Sequence, residues 1–256
     1  MTIKKHIPNA ITCGNLLCGC LAIVQAFQGQ LVWAAYFVGI ALVLDFFDGF
    51  AARMLKVSSP VGKDLDSLAD MVTFGVVPGI VMFKMITLSL SSFYVSDIYA
   101  GARANTESLL PYCAFIITVF SCIRLAKFNN DTRQSDSFIG LPTPANTMVI
   151  CSFPLIFDMS EENWVKESVF NRDLLFINPY VLIIMSCILS VLLIAEIPLF
   201  ALKFKNFSWA SNKLVYVFLL VSVILLLMLQ FVAIPLIILL YILISIVNNI
   251  FLKKKV

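Results

Sequence analysis

At 256 residues, 61% hydrophobic, 13% charged and with a mean hydropathy of +0.97, the chain is far more apolar than soluble domains, in which about half the residues are apolar and about a quarter charged. That balance excludes a soluble globular enzyme and predicts an all-α polytopic membrane protein with no nucleic-acid partner. The net charge of +3 says little as a total, and its distribution along the chain says more.

Runs of about 17–25 apolar residues mark candidate spans. The first covers residues 11–27, behind Lys4 and Lys5, and resembles a signal peptide core. It lacks a clear small-residue cleavage site and another span follows directly, so it is kept as span one. After Gln28-Gly29-Gln30, span two covers residues 31–54 and span three residues 65–90. A polar stretch, residues 91–108, precedes span four at residues 109–125. A basic, amide-rich loop and the Pro142-Thr143-Pro144 segment lead to a short span five, residues 145–157, whose start reaches back toward the prolines. An acidic loop, residues 158–173, precedes span six at residues 174–200. Spans seven and eight, residues 214–231 and 233–252, form a hairpin at residues 230–235.

Eight spans put both termini on one side of the membrane. That side carries fourteen Lys and Arg (Lys4, Lys5, Arg53, Lys56, Lys63, Arg124, Lys127, Arg133, Lys203, Lys205, Lys213, Lys253, Lys254, Lys255), against Arg103, Lys166 and Arg172 opposite, with Lys84 inside span three. The positive-inside rule makes the termini cytoplasmic, in an inner (cytoplasmic) membrane, and reads Lys253, Lys254 and Lys255 as an anchor to anionic headgroups. The seven cysteines sit mostly in apolar runs without a CxxC pair and are small hydrophobes. His6, in the basic N-terminal segment, is an interfacial bystander.

Residues 45–70 hold charge where the surrounding composition disfavours it, and ionisable groups at membrane depth are functional candidates by default. Asp45 and Asp48 are three apart and Asp66 and Asp70 four apart, spacings that share a helix face. Two such pairs facing each other make an oxygen cage for Mg²⁺, Mn²⁺ or Ca²⁺. Two ions of this kind clamp a diphosphate during in-line displacement. Gly49 and Ala52 remove bulk where a ligand could approach, Arg53 offers a planar fork to phosphate, and residues 57–61 let the chain turn back so that Gly62 opens the second half. The alternative, buried ion pairs with Arg53 or loop lysines, explains one or two acids but not four.

Written out, D-x2-D-G-x2-A-R-x8-G-x3-D-x3-D, read from Asp45, Asp48, Gly49, Ala52, Arg53, Gly62, Asp66 and Asp70, resembles the signature of the CDP-alcohol phosphotransferases. These membrane enzymes displace CMP from a CDP-linked alcohol. The resemblance implies one domain over residues 1–256 and one or two divalent cations, Mg²⁺ or Mn²⁺, with Ca²⁺ as a stand-in in a crystal. It also implies metal ligation by Asp45, Asp48, Asp66 and Asp70, with Asp70 as general base. The nucleotide pocket would take Asp48, Gly49, Ala52, Arg53, Gly62 and Asp66, the site would face the cytoplasm, and the enzyme would be a homodimer. A carboxylate between metals has low proton affinity, which sits awkwardly with the base role of Asp70.

The acceptor alcohol is read elsewhere. Arg124-Leu-Ala-Lys127-Phe-Asn129, the segment Phe138-x-Gly140-Leu141-Pro142-x-Pro144 and Pro8-Asn9-x-x-Thr12 resemble the branch of the family that uses CDP-diacylglycerol and L-serine. A carboxylate on the acceptor suits Arg124 and Lys127, and an ammonium suits an amide oxygen such as that of Asn129. Positive-inside anchoring also explains Lys127, and Asn9 and Thr12 could instead cap the first helix. The competing readings are another acceptor, glycerol 3-phosphate or inositol phosphate, and a cation transporter with the aspartates as ion pathway.

Overall fold

The computed structural model describes residue 4 and residues 6–57, 59–98, 109–131, 138–162, 178–200 and 209–253. Lys5, Arg103, Arg133, Lys166, Arg172, Lys203, Lys205, Lys254 and Lys255, and most of the two polar loops, lie outside them. The described chain is almost wholly helical. α1 (His6–Phe27) and α2 (Leu31–Met54) form a hairpin, and Gly29 in its turn has φ +80°. α3 (Pro60–Asp70) opens on Ser59, whose Oγ accepts from Gly62 N at 3.0 Å, with Pro60 at the first helical position. α3 continues through a π-helical turn, Met71–Val76, into α4 (Val77–Ile98). A 3₁₀ turn, Leu110–Phe115, leads to α5 (Ile116–Asn130). Then come β1 (Phe138–Ile139), α6 (Thr143–Glu162), α7 (Pro179–Ile194) and β2 (Pro198–Leu199). α8 (Trp209–Leu229), a 3₁₀ turn (Gln230–Val232) and α9 (Ala233–Lys253) complete the chain.

Among the described residues, five stretches are long and apolar enough to cross a membrane: His6–Phe27, Leu31–Met54, Pro60–Ser91, Leu110–Asn130 and Asn212–Ile250. The last covers α8 and α9 and folds back on itself, since Leu214 lines one cavity with Leu243 and Val247, and the Phe218 and Tyr241 rings meet at 5.7 Å. Large apolar side chains such as Leu17, Phe46, Leu220 and Leu227 are exposed on these helices, as a surface that meets lipid requires. The α1–α2 interface is built from small residues, with Ala22, Ala26, Ala34, Ala35 and Ala41 buried. Close approach of this kind replaces the hydrophobic drive that lipid does not supply. Lys84, half-buried in the third span, donates to Phe27 O at 3.5 Å and sits 5.4 Å from the Phe27 ring, so its charge reaches the C-terminal end of α1.

The π turn frees carbonyls from the regular ladder, and neighbouring helices satisfy two of them. Thr118 of α5 donates to Gly75 O at 3.0 Å, and Thr147 of α6 lies 2.9 Å from Phe74 O. Side-chain hydroxyls are a standard remedy for broken backbone bonding inside a membrane. The turn also locks α3 and α4 against α5 and α6 directly behind the aspartates.

Two expectations change. Span six does not remain helical to residue 200: α7 ends at Ile194 and Ala195 is extended. Pro198 has no N–H for a helix, and β2 pairs antiparallel with β1, Phe138 opposite Leu199. Gly140 N donates to Ile197 O and Leu141 N to Leu192 O, both at 2.9 Å. Gly140 has φ +77°, and a Cβ there would lie 2.7 Å from Leu193 O, so only glycine fits. The third helix also begins earlier than the apolar run, at Pro60, because the Ser59 cap and not hydropathy sets its start.

Candidate active site

The hairpin of α2 and α3 carries the acids. Asp45 and Asp48 project from the last turns of α2 and Asp66 from the middle of α3. One carboxylate oxygen from each of the three lies within 4.8 Å of the others. Asp70, one turn further along α3, touches Asp45 through its carboxyl group at the edge of this trio. Asp48 is 6% exposed and the other three are half-buried.

Like charges so close repel strongly in a poorly polarisable medium. Among the described residues these carboxylates meet the Thr12 hydroxyl, the Asn15 amide, the Gly49 backbone N–H and one another, with the Arg53 charge near Asp48. An all-carboxylate oxygen set with that spacing fits a hard divalent cation and offers nothing to a thiophilic one.

α1 supplies the polar partners, and sequence reasoning recovered only part of this. Thr12 Oγ1 lies 2.6 Å from Asp48 Oδ2 and 3.1 Å from Pro8 O. A hydroxyl has one proton, and the shorter, charge-assisted contact takes it. Neither Asn9 nor Thr12 is a helix cap, because α1 begins at His6 and both sit inside it. Asn15, one turn beyond Thr12, donates from Nδ2 to Asp70 Oδ1 at 3.4 Å. It was missed, although an asparagine three residues from Thr12 in an apolar run is a signal of the same kind as the buried aspartates.

Between α1, α2 and α3 lies a cavity of about 330 Å³ lined by Pro8, Asn9, Thr12, Asp48, Gly49, Ala52, Val57, Ser59, Gly62, Lys63 and Asp66. It brings Gly49, Ala52 and Gly62 of the signature to one wall. A Cβ on Gly62 would stand 3.0 Å from both Asn9 Oδ1 and Ser59 Oγ. Arg53 is exposed, and its guanidinium lies over Gly49, where a Cβ would be 3.4 Å from an Arg53 terminal nitrogen. The N-terminal turn of α3, through Ser59, Gly62 and Lys63, borders the same space, and the positive end of the helix dipole favours an anion there.

The three residues of the acceptor motif separate. Arg124 is 4% exposed, with its guanidinium carbon 5.2 Å from the Phe128 ring centre. Lys127 and Asn129 are exposed, and Asn129 donates to Ser67 Oγ of α3 at 2.9 Å. Arg124 alone of the three is buried in the bundle.

A family model described as CDP-alcohol phosphatidyltransferase matches residues 5–192. The chain is 32% identical over 206 residues to a CDP-diacylglycerol–serine O-phosphatidyltransferase of Bacillus subtilis, an alignment covering 80% of this chain and 92% of the relative. It is 30% identical over 253 residues to the protein of that name in Helicobacter pylori, covering 97% and 93% respectively. An archaetidylserine synthase of Methanothermobacter thermautotrophicus is 28% identical over 60% of each chain. With its trio of aspartates, its cavity walled by signature residues and a family match across most of its length, the chain belongs to the CDP-alcohol phosphatidyltransferases, membrane-embedded transferases of phospholipid synthesis.

Proposed function

We propose that this protein transfers a phosphatidyl group from CDP-diacylglycerol to the hydroxyl of L-serine, giving phosphatidylserine and CMP. The observation that carries the reading is the clustering of Asp45, Asp48 and Asp66, with Asp48 and Asp66 lining a cavity that Gly49, Ala52 and Gly62 also line. The names of the B. subtilis and H. pylori relatives supply the serine acceptor.

The diphosphate of the lipid lies in the cavity against the N-terminus of α3, with Arg53 and Lys63 at its mouth and the cytidine beside the small residues. Asp45, Asp48 and Asp66, with Asp70 at their edge, would hold one or two Mg²⁺ or Mn²⁺ ions; bound there, the ions supply charge neutralisation for the diphosphate and the departing CMP. Thr12 holds the Asp48 carboxylate in place. Asn15 orients Asp70, which accepts the proton of the serine hydroxyl. The serine oxygen then bonds to the lipid-side phosphorus as the bond to the CMP oxygen breaks. Positioning and electrostatic stabilisation account for most of the rate gain. Arg124 takes the serine carboxylate; Lys127 and Asn129, at the surface end of α5, draw the acceptor in.

We further propose that the helices cross the membrane eight times, with both termini and the active site cytoplasmic, in an inner membrane, and that the enzyme works as a homodimer. The alternation of helix ends supports this topology. Thr12, Asp48, Asp66 and Asn129 meet at one end of the bundle, and the α1–α2 turn meets Lys84 toward the other.

The test is CMP release by purified protein in lipid with Mn²⁺, CDP-diacylglycerol and separate acceptors. Serine-dependent release that stops on chelation and returns with Mn²⁺ is the expected result. Release only with glycerol 3-phosphate or inositol phosphate refutes the serine assignment and leaves the family intact. Arg124→Ala should raise the serine KM more than the lipid KM, and the reverse order removes serine from that side chain.

A further inference from the structure

Most buried hydroxyls in this bundle bond back to their own helix, as Ser186, Ser190, Ser222 and Ser245 do. Four buried polar side chains break that pattern. Asn15 Oδ1, Ser121 Oγ, Arg124 Nε and both amide atoms of Asn146 have no hydrogen-bond partner among the described residues. Their residues are 0%, 0%, 4% and 0% exposed. Buried polar groups are nearly always satisfied, and each exception calls for an explanation.

The helices that carry all four, α1, α5 and α6, pack against the same π turn beyond Asp70. α5 runs antiparallel to α3 and the π turn: Thr118 meets Gly75, a Cβ on Gly75 would lie 3.3 Å from Ser121 Cβ, and Asn129 meets Ser67. By that register Arg124 lies level with Asp70 and Met71. Asn146 immediately precedes Thr147, whose hydroxyl is on Phe74 O, four residues and so about 6 Å of helix beyond Asp70. Asn15 reaches Asp70 from the opposite side.

The unpartnered atoms divide by chemistry. Arg124 Nε, Asn146 Nδ2 and the Ser121 hydroxyl are donors suited to a carboxylate; Asn15 Oδ1 and Asn146 Oδ1 are acceptors suited to an ammonium. We infer that Asn146, together with Arg124, Ser121 and Asn15, forms a subsite for the zwitterionic head of an α-amino acid acceptor. Asn146 is its specificity-determining member, because it alone of the four brings both an unpartnered donor and an unpartnered acceptor. This rests on the reading that the acceptor hydroxyl reacts beside Asp70. A phosphorylated acceptor would meet one guanidinium and two amide oxygens, which its charge disfavours. Asn129 is exposed at the surface end of α5, where its Nδ2 meets Ser67, and lies outside this buried set.

The experiment compares the wild-type enzyme with Asn146→Leu, close in volume and apolar, and Asn146→Ser, smaller and polar, in lipid with Mn²⁺. In each variant the serine KM should rise by about tenfold or more, as loss of a hydrogen bond to a charged group implies. The CDP-diacylglycerol KM should stay within about twofold, since this subsite does not touch the lipid. The Tm of Asn146→Leu without serine should hold or rise, because it removes two unsatisfied atoms. As a competitive inhibitor, 3-hydroxypropionate, which lacks the ammonium, should lose less affinity than serine in Asn146→Leu. A serine KM unmoved in whichever variant folds, equal shifts of both KM values, or equal losses for serine and 3-hydroxypropionate overturn the inference while the proposed reaction stands. Wild-type CMP release with glycerol 3-phosphate and none with serine overturns the proposed reaction and this subsite with it.

Discussion

Replacing Thr12 with valine tests whether α1 belongs to the aspartate site or only packs beside it. The substitution keeps the β-branched shape, so the helix and its rotamer are little disturbed, and it deletes one hydroxyl. That hydroxyl stands 2.6 Å from Asp48 Oδ2, with both residues buried. The distance falls in the range of charge-assisted O–H···O⁻ bonds, and bonds to charged groups contribute about 1.5–3 kcal/mol. At about 1.4 kcal/mol per decade, the expected loss is about ten- to hundredfold in metal affinity or kcat/KM. Partners that orient metal ligands show a similar cost when removed. The assay is CMP release titrated with Mn²⁺ at saturating substrates. Thr12→Val should need a higher Mn²⁺ concentration for half-activation, with helical circular dichroism unchanged, and Thr12→Ser should recover most of the loss. A Thr12→Val enzyme with the wild-type Mn²⁺ profile and wild-type kcat/KM would show that Asp48 does not depend on α1, and the reasoning would fail.

Asp66→Asn removes one charge from the trio without changing its shape, so turnover should vanish at every Mn²⁺ concentration while the protein stays folded; wild-type activity would refute the cage. Gly62→Ala puts a Cβ 3.0 Å from Asn9 Oδ1 and Ser59 Oγ on the cavity wall. An overpacking cost of about 1 kcal/mol or more should raise the CDP-diacylglycerol KM about fivefold and spare the serine KM. A rise in the serine KM alone would contradict the placement of that wall. Gly140→Ala forces a left-handed backbone and a 2.7 Å contact with Leu193 O onto a residue that lines neither the aspartate trio nor the cavity beside it. Thermal unfolding should occur at least about 2 °C lower for each kcal/mol lost, with activity in the remaining folded protein intact; an unchanged Tm would mean the β1–β2 connection is not structurally tight.

The acids of the site were legible because helix periodicity is local. Asp45 with Asp48, and Asp66 with Asp70, needed only 3.6 residues per turn and a reversing loop to be brought together. The loop itself carried its signals, a serine cap and a proline at the helix start. The partners of those acids were not legible in the same way. Thr12 meets Asp48 across 36 residues and Asn15 meets Asp70 across 55. No spacing rule spans such distances, and the capping propensity of Asn9 and Thr12 pointed to a role that a helix beginning at His6 rules out. Arg124, Lys127 and Asn129 read as one motif, yet burial divides them, because five residues of a helix cover more than one full turn. The π turn behind Asp70 left no local mark, since its freed carbonyls are satisfied by Thr118 and Thr147 from other helices.

What the amino-acid sequence determined alone was the class of protein, a helical membrane enzyme, and which aspartates gather at the end of the α2–α3 hairpin. Both follow from apolar run length and from the cost of placing charge in hydrocarbon, which are properties of single segments. The tertiary structure decided which helix polarises which acid, where the chain leaves helical form at Ala195, and which buried polar atoms remain unpaired. Those depend on contacts between segments distant in the chain. Hydrogen-bond satisfaction is a property of the whole packed bundle, so Asn146 became distinguishable from any other buried asparagine only when its neighbours were in place.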